Sequence, residues 1–290
     1  MERLTDIGYV RALLERQGFH FSKSLGQNFL INPTVCPRIA EMGNAAPGFG
    51  ILEIGTGIGT LTAELASRAD KVTAVELDDR LFPILDETLA EFDNVHVIHG
   101  DAMEYDLAGL IREEFAGLRV AVCANLPYYI TSPLIMRLLE EKLPVETITV
   151  MVQKEAAVRL CAPIGSREAG AVSVAVNFYG TAEKLFDVSR GSFMPAPNVD
   201  SAVIRIRLHE ERPWQISDEA LFFRMVKAGF SQRRKQLCGV LAGSFGMSKQ
   251  DMQAVFEEAG IAPSVRIEAL DMASLAALAE ALHRHMESGR

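Results

Sequence analysis

The sequence is poor in the groups that build metal sites and disulfide frameworks. Its four cysteines, Cys36, Cys123, Cys161 and Cys238, lie far apart without a C-x-x-C pair, which indicates neither a zinc site nor cross-links and leaves buried thiols as the expectation. The histidines show no ligand spacing either; His283 and His285 would fall on different faces of a helix. No metal is expected. The chain lacks any run near the roughly eighteen to twenty apolar residues that a membrane helix needs. Its start, Met1 to Ile7, lacks the basic-then-apolar form of a signal peptide. A soluble cytoplasmic protein with no membrane partner is expected. Positive charge is scarce too: a formal net charge of −9 argues against indiscriminate nucleic-acid binding, since phosphate contact needs Lys and Arg, but leaves room for a local basic surface.

What is present is ample apolar content, 49% of 290 residues, enough for one large domain or a large and a small one. The chain is organised around Ile51 to Thr62. Ile51, Leu52 and Ile54 flank Glu53, then Gly55, Gly57 and Gly59 alternate before Leu61 to Leu65 resume with helical character. This reads as strand, turn, helix, with glycines that reach positive φ and let backbone approach a ligand at the positive end of a helix. The third glycine comes one residue too early for G-x-G-x-x-G, so the loop alone is also compatible with a merely tight turn. Val72 to Glu76 adds a second strand that ends in a carboxylate about twenty residues on, where it can accept from the ribose hydroxyls of an adenosine-type cofactor.

Taken in order, residues 6–17 have helical periodicity, and the polar, glycine-punctuated stretch 19–30 reads as a loop, either a linker or a lid on the ligand. Asn32 and Pro33 suggest a helix start running to about Gly43. Strands at 51–54, 72–76, 95–99 and 119–124 alternate with helices, which implies a parallel sheet with helices on both faces and a ligand beyond the carboxyl ends of the strands. Gly55, Glu76, Asp101 and Asn125 all fall at those ends. Asp101 reads either as a helix cap or as an acceptor for an adenine amine, and its shared rim with Glu76 and Gly55 favours the second. Asn125, Leu126, Pro127 and Tyr128 leave the sheet at the same rim, before a helix expected to start at Ser132-Pro133. No base lies in that loop. An adenine amine has its lone pair delocalised into the ring and need not be deprotonated before it attacks a strongly electrophilic carbon. The Asn125 side-chain oxygen and the Leu126 carbonyl can hold both amine hydrogens, with Tyr128 stacked on the base.

Several of these segments together resemble the ribosomal RNA adenine dimethyltransferase family, most closely its small-subunit type. They are Lys23 to Leu30, Glu53 to Gly59, Glu76, Gly100-Asp101, Asn125 to Tyr128, Gln153 to Glu155 and Ser192 to Ser201, in the family's order across residues 20–240. The resemblance implies a Rossmann-like class I methyltransferase sheet, S-adenosylmethionine as cofactor, and dimethylation of N6 on two adjacent adenosines of small-subunit (16S) ribosomal RNA in a pre-ribosomal particle. It places Asn28, Leu30, Gly55, Glu76, Asp101 and Asn125 around the cofactor, and Phe193 opposite Tyr128 as the second aromatic face on the target base. Thr56 departs from the family's usual proline.

Cations concentrate at Arg233, Arg234 and Lys235, where RNA contact is expected, and at Arg205 and Arg207, which share one face of a strand and read equally as a solvated surface. After Pro213 the pattern is purely helical, so a methyltransferase domain over 1–208 and a helical RNA- or ribosome-docking domain over 209–290 are expected, in a monomer. Rival readings are a large-subunit rRNA adenine methylase of antibiotic resistance, a DNA adenine methylase, disfavoured by Leu126, a non-catalytic ribosome-assembly factor, and a nicotinamide dehydrogenase, disfavoured by the shortened glycine loop.

Overall fold

The structure, a computed structural model, describes residues 2–22, 25–211 and 213–288; Lys23 and Ser24 of the family-like motif lie outside the described residues. By its contacts the chain divides into two compact units, residues 1–157 with 182–208, and residues 158–181 with 209–290.

Among the described residues the first unit holds nine strands: β1 (Phe29–Leu30), β2 (Phe49–Ile54), β3 (Lys71–Glu76), β4 (Val95–His99), β5 (Arg119–Asn125), β6 (Thr147–Gln153), β7 (Gly180–Val188), β8 (Phe193–Met194) and β9 (Ser201–Leu208). Seven form one sheet in the order β4-β3-β2-β5-β6-β9-β7, while β1 and β8 make a separate antiparallel ribbon. β4, β3, β2, β5 and β6 run parallel, and β9 is antiparallel to β6, so the sheet is mixed. Every residue of β2 is buried, as expected of a central strand covered on both faces, and its sequence is accordingly apolar with the single exception of Glu53. The edge strand β4 is only partly covered and carries His96 and His99 on its exposed positions.

The described residues of this unit also form the α-helices α1 (Ile7–Arg16), α2 (Val35–Met42), α3 (Thr60–Ala66), α4 (Phe82–Thr88), α5 (Leu107–Glu114) and α6 (Thr131–Glu140). α1 begins where the Asp6 carboxylate accepts from the Tyr9 N–H at 2.7 Å, and it buries Val10, Leu13 and Leu14 on one stripe. Two helix starts differ from the sequence expectation. Asn32 spends its side chain on a local turn, accepting from the Thr34 N–H at 3.0 Å, so α2 starts at Val35. α6 starts at Thr131, whose hydroxyl donates back to the Pro127 carbonyl at 3.2 Å, ahead of Ser132 and Pro133. Of the four cysteines, Cys161 is only half-buried, whereas Cys36, Cys123 and Cys238 are buried.

A further helix, α7 (Lys154–Leu160), crosses from one unit into the other, and the second unit continues with α8 (Ala171–Tyr179), α9 (Glu219–Ser231), α10 (Leu237–Phe245), α11 (Lys249–Glu258) and α12 (Met272–Ser288). Expectation places its start at 209 alone; residues 158–181 join it because α8 is apolar nearly all round. In this core Phe178 stacks on Phe222 at 5.3 Å between centroids and Tyr179 stacks on Phe223 at 5.6 Å. The cap of α9 is Asp218, accepting from the Leu221 N–H at 2.9 Å, because the Ser217 hydroxyl is bonded to Glu280 at 2.8 Å.

Phe178→Ala opens a cavity among these rings and should lower the free energy of unfolding by about 3–5 kcal/mol in denaturant titration; a loss under about 1 kcal/mol would place Phe178 outside the core of this unit.

Candidate active site

β2 delivers its chain directly into the glycine loop. Gly55 stands at φ +77° with nothing within 4 Å of where a Cβ would point, so backbone there is open to a ligand, and a Cβ at Gly57 would meet the Phe29 ring at 3.2 Å. On the neighbouring strand the register Ile54 to Val75 puts Glu76 beside the loop. Glu76 Oε2 accepts from the Thr56 N–H at 2.8 Å, the Thr56 hydroxyl at 3.0 Å and the Gly57 N–H at 3.3 Å. Its Oε1 accepts from the Asp78 N–H at 2.9 Å. A buried carboxylate thus fixes the loop through charge-assisted bonds while Oε1 keeps a spare lone pair. Sequence reading gave Thr56 no role; the signal was a hydroxyl set two residues beyond a strand whose parallel neighbour ends in a carboxylate.

Asp101 turns the chain after β4, its Oδ1 accepting from the Met103 N–H at 2.8 Å and its other oxygen without a hydrogen bond among the described residues. Asn125 ends β5, and its side-chain amide makes no hydrogen bond with any described residue. The next residue is anchored by the Leu126 N–H, which donates to the Met151 carbonyl at 3.2 Å. The Tyr128 hydroxyl lies 2.7 Å from Ser201 Oγ at the start of β9; burial pushes the phenol up, the Ser201 bond opposing it. Ser201 is a positioning residue that sequence reading missed.

The ribbon explains how distant segments meet. Leu30 of β1 pairs with Phe193 of β8, and beside it the Ile31 N–H donates to the Ser192 carbonyl at 2.9 Å. Asn28, Leu30, Gly55, Glu76, Asp101, Asn125, Leu126, Tyr128 and Phe193 consequently line one cavity. Within the 19–30 stretch, Gln27 is fastened to the rim. Gln27 accepts from the Ser22 N–H at 2.8 Å and donates to Asp78 Oδ2 at 2.6 Å, and Asp78 is gripped in turn by the Arg80 guanidinium at 2.6 and 2.7 Å. Burial works to raise the Asp78 carboxyl, but the bonds from Arg80 and Gln27 outweigh it and hold it below its ordinary value. Neither Gln27 nor Asp78 is legible as a pair in sequence, since only the fold brings them together.

The expected RNA-binding cations divide. Within the helical unit Arg233 is engaged by Glu268 at 2.9 Å and by the Arg167 carbonyl at 2.7 Å, while Arg234 and Lys235 are exposed. In the first unit Arg205 and Arg207 do share a face, but both bond the same Glu183 carboxylate, at 2.7 and 3.3 Å, and hold it below its usual range. Among the described residues no cluster of three or more His, Cys, Asp or Glu is placed to hold a metal, and no helix is long and apolar enough to cross a membrane.

Comparison with known proteins is extensive. Residues 18–284 match the family described as ribosomal RNA adenine dimethylase. The chain is 46% identical over 279 residues to a protein of Geobacillus kaustophilus named ribosomal RNA small subunit methyltransferase A, covering 95% of each chain. It is 45% identical over 276 residues to one of the same name from Bacillus licheniformis, covering 94% of each. Among solved structures, the 23S rRNA methyltransferase ErmE superposes with a TM-score of 0.66 at 28% identity, over 88% of this chain and all of that one. A dimethyladenosine transferase from Plasmodium falciparum shares the fold, with a TM-score of 0.73 at 24% identity over 90% of this chain and 98% of that one.

One group beneath the loop departs from ordinary behaviour. Glu53 is fully buried on β2, and burial together with the nearby Glu76 charge pushes its carboxyl up to about 8, the Thr62 hydroxyl pulling the other way without a hydrogen bond of good geometry. In the unfolded chain the same carboxyl titrates at its ordinary value of 4.5. The folded state therefore holds a proton that the unfolded state releases, and this contribution is complete below 4.5, declines as pH rises and is gone near 8. Glu53→Gln should flatten that slope, so that the melting temperature of the variant rises relative to that of wild type from pH 5 to pH 8, read by calorimetry at about half-unit steps; a constant difference would contradict the buried neutral acid.

Proposed function

The chain belongs to the ribosomal RNA adenine dimethylase family, and from that membership we propose that it transfers methyl groups from S-adenosylmethionine to N6 of two adjacent adenosines in 16S ribosomal RNA, giving N6,N6-dimethyladenosines. The observation that carries the reading is Asn125: an amide with no hydrogen-bond partner among the described residues, at a strand tip, in the same cavity as Glu76 and the open Gly55 backbone.

The residues present fit the cofactor. Gly55 lets backbone approach it closely, Glu76 Oε1 has a lone pair for a ribose hydroxyl, and the second oxygen of Asp101 suits the amine of its adenine. Leu30, set by the ribbon, and Asn28, whose amide donates to the Gly26 carbonyl at 2.8 Å, complete the same wall. When bound, the cofactor supplies a methyl group on a sulfonium, electrophilic enough that no protein base is needed to activate the nucleophile.

The protein's own contribution is position. Asn125 Oδ1 and the Leu126 carbonyl accept the two hydrogens of the target N6, which biases the nitrogen towards a pyramidal form with its lone pair directed at the donor. Tyr128, held by Ser201, and Phe193, held by the ribbon, take the two faces of the extruded base. A strongly polar base would be out of place between those rings, and none lines the Asn125 to Tyr128 turn.

The helical domain over 209–290 serves docking on RNA or the ribosome, with Arg234 and Lys235 as the cations most open to phosphate and Arg233 joining them at the cost of its Glu268 bond. The substrate is a pre-ribosomal small-subunit particle, and the protein acts on it as a monomer in the cytoplasm.

The decisive experiment supplies labelled S-adenosylmethionine and unmethylated small subunits, then maps the label. Asn125→Ala should cut transfer by roughly a hundredfold or more with the melting temperature unchanged; undiminished transfer refutes the assignment.

A further inference from the structure

Phe193 lines a second cleft as well as the cavity already described. This cleft, of about 760 Å³, is walled by α1, the turn at residues 18–21 and the chain from Met194 to Ala196, all within the first unit. It is large enough for one nucleotide.

Its chemistry has three parts. The first is an aromatic surface: Phe21 is 39% exposed, which is unusual for so apolar a ring, yet the ring is fixed edge-on to Phe19 at 5.9 Å and tilted on Phe29 at 5.2 Å. Pre-ordered in this way, it offers a flat π-face at little cost in entropy. The second is positive charge: Arg11 is exposed on the cleft side of α1 and makes no ion pair among the described residues. Glu15 is the one carboxylate in the lining. The third is continuity, since a strand whose target base lies against Phe193 brings its next residue to a wall of the same cleft.

We propose that this cleft holds the nucleotide adjoining the target adenosine on the same RNA strand, with its base stacked on Phe21 and its phosphate on Arg11. The proposal rests on the function inferred above, and for two adjacent target adenosines the occupant is the partner adenosine awaiting or following its own reaction. A bound protein segment would use the apolar wall but would have no need of a guanidinium that makes no ion pair among the described residues in the same lining as an exposed ring.

The test uses small subunits reconstituted around 16S RNA in which one of the two adenosines is abasic, with methylation read at the other. Wild type should methylate the remaining adenosine roughly ten- to a hundredfold more slowly than in intact RNA, because one base–aromatic stack is lost. Phe21→Ala should slow the reaction on intact RNA by a similar factor and no longer distinguish the two substrates, while Phe21→Trp retains the distinction. Arg11→Gln should reduce the slope of log affinity against log salt by about one phosphate contact. Adenosylmethionine affinity should be the same in all four proteins. Equal rates of wild type on the abasic and intact subunits, or a Phe21→Ala enzyme as discriminating as wild type, overturn the cleft assignment while leaving the methyltransferase reading intact. A wild type that methylates neither substrate overturns both.

Discussion

The carboxylate of Glu76 is the interaction on which the site depends. Three donors of the glycine loop converge on one of its oxygens and the Asp78 N–H takes the other. A loop containing glycines at positive φ loses more conformational entropy on ordering than any other, and only a strong, buried, directional acceptor keeps it in one shape. Because β2 and β3 are parallel neighbours, the two ends meet without any long connection, and the rim they form is the floor on which everything else is arranged.

The remaining pieces are brought in by two different devices. β5 supplies Asn125 and Leu126 at the next strand tip, a consequence of parallel order alone. The β1–β8 ribbon supplies Leu30 and Phe193, residues far apart in the chain, and the Gln27–Asp78–Arg80 chain of bonds fastens Gln27 to the rim. The arrangement suits a reaction that needs placement more than acid–base chemistry: the Asn125 amide, the Leu126 carbonyl and the Tyr128 and Phe193 rings belong to one cavity lining, and the Asn125 to Tyr128 turn has no His, Asp or Glu. The buried, neutral-leaning Glu53 beneath it adds no charge to compete with Glu76 at neutral pH.

Much of this was legible in the sequence where a single segment carries the signal. The apolar strands ending in Gly55, Glu76 and Asn125 could be read because buried parallel strands are nearly continuous apolar runs. What depends on contacts between segments was not. Thr56, Gln27, Asp78 and Ser201 look like ordinary polar residues until the fold pairs them. The ribbon of two-residue strands has no periodicity to detect. Likewise, α8 lies among strands in the sequence but, being apolar all round, packs with the helical unit, so the boundary at 209 misses residues 158–181. Arg205 and Arg207 were correctly placed on one face, yet only the fold shows that Glu183 occupies them both.

The measurement that bears most directly on this account is the affinity for S-adenosylmethionine of wild type and Glu76→Gln, by titration calorimetry. Glutamine keeps the shape but loses the charge and places an N–H₂ where one oxygen now accepts. Affinity should fall by roughly tenfold or more with the fold retained. Equal affinity in the two proteins would contradict a glycine loop and cofactor site held by that carboxylate.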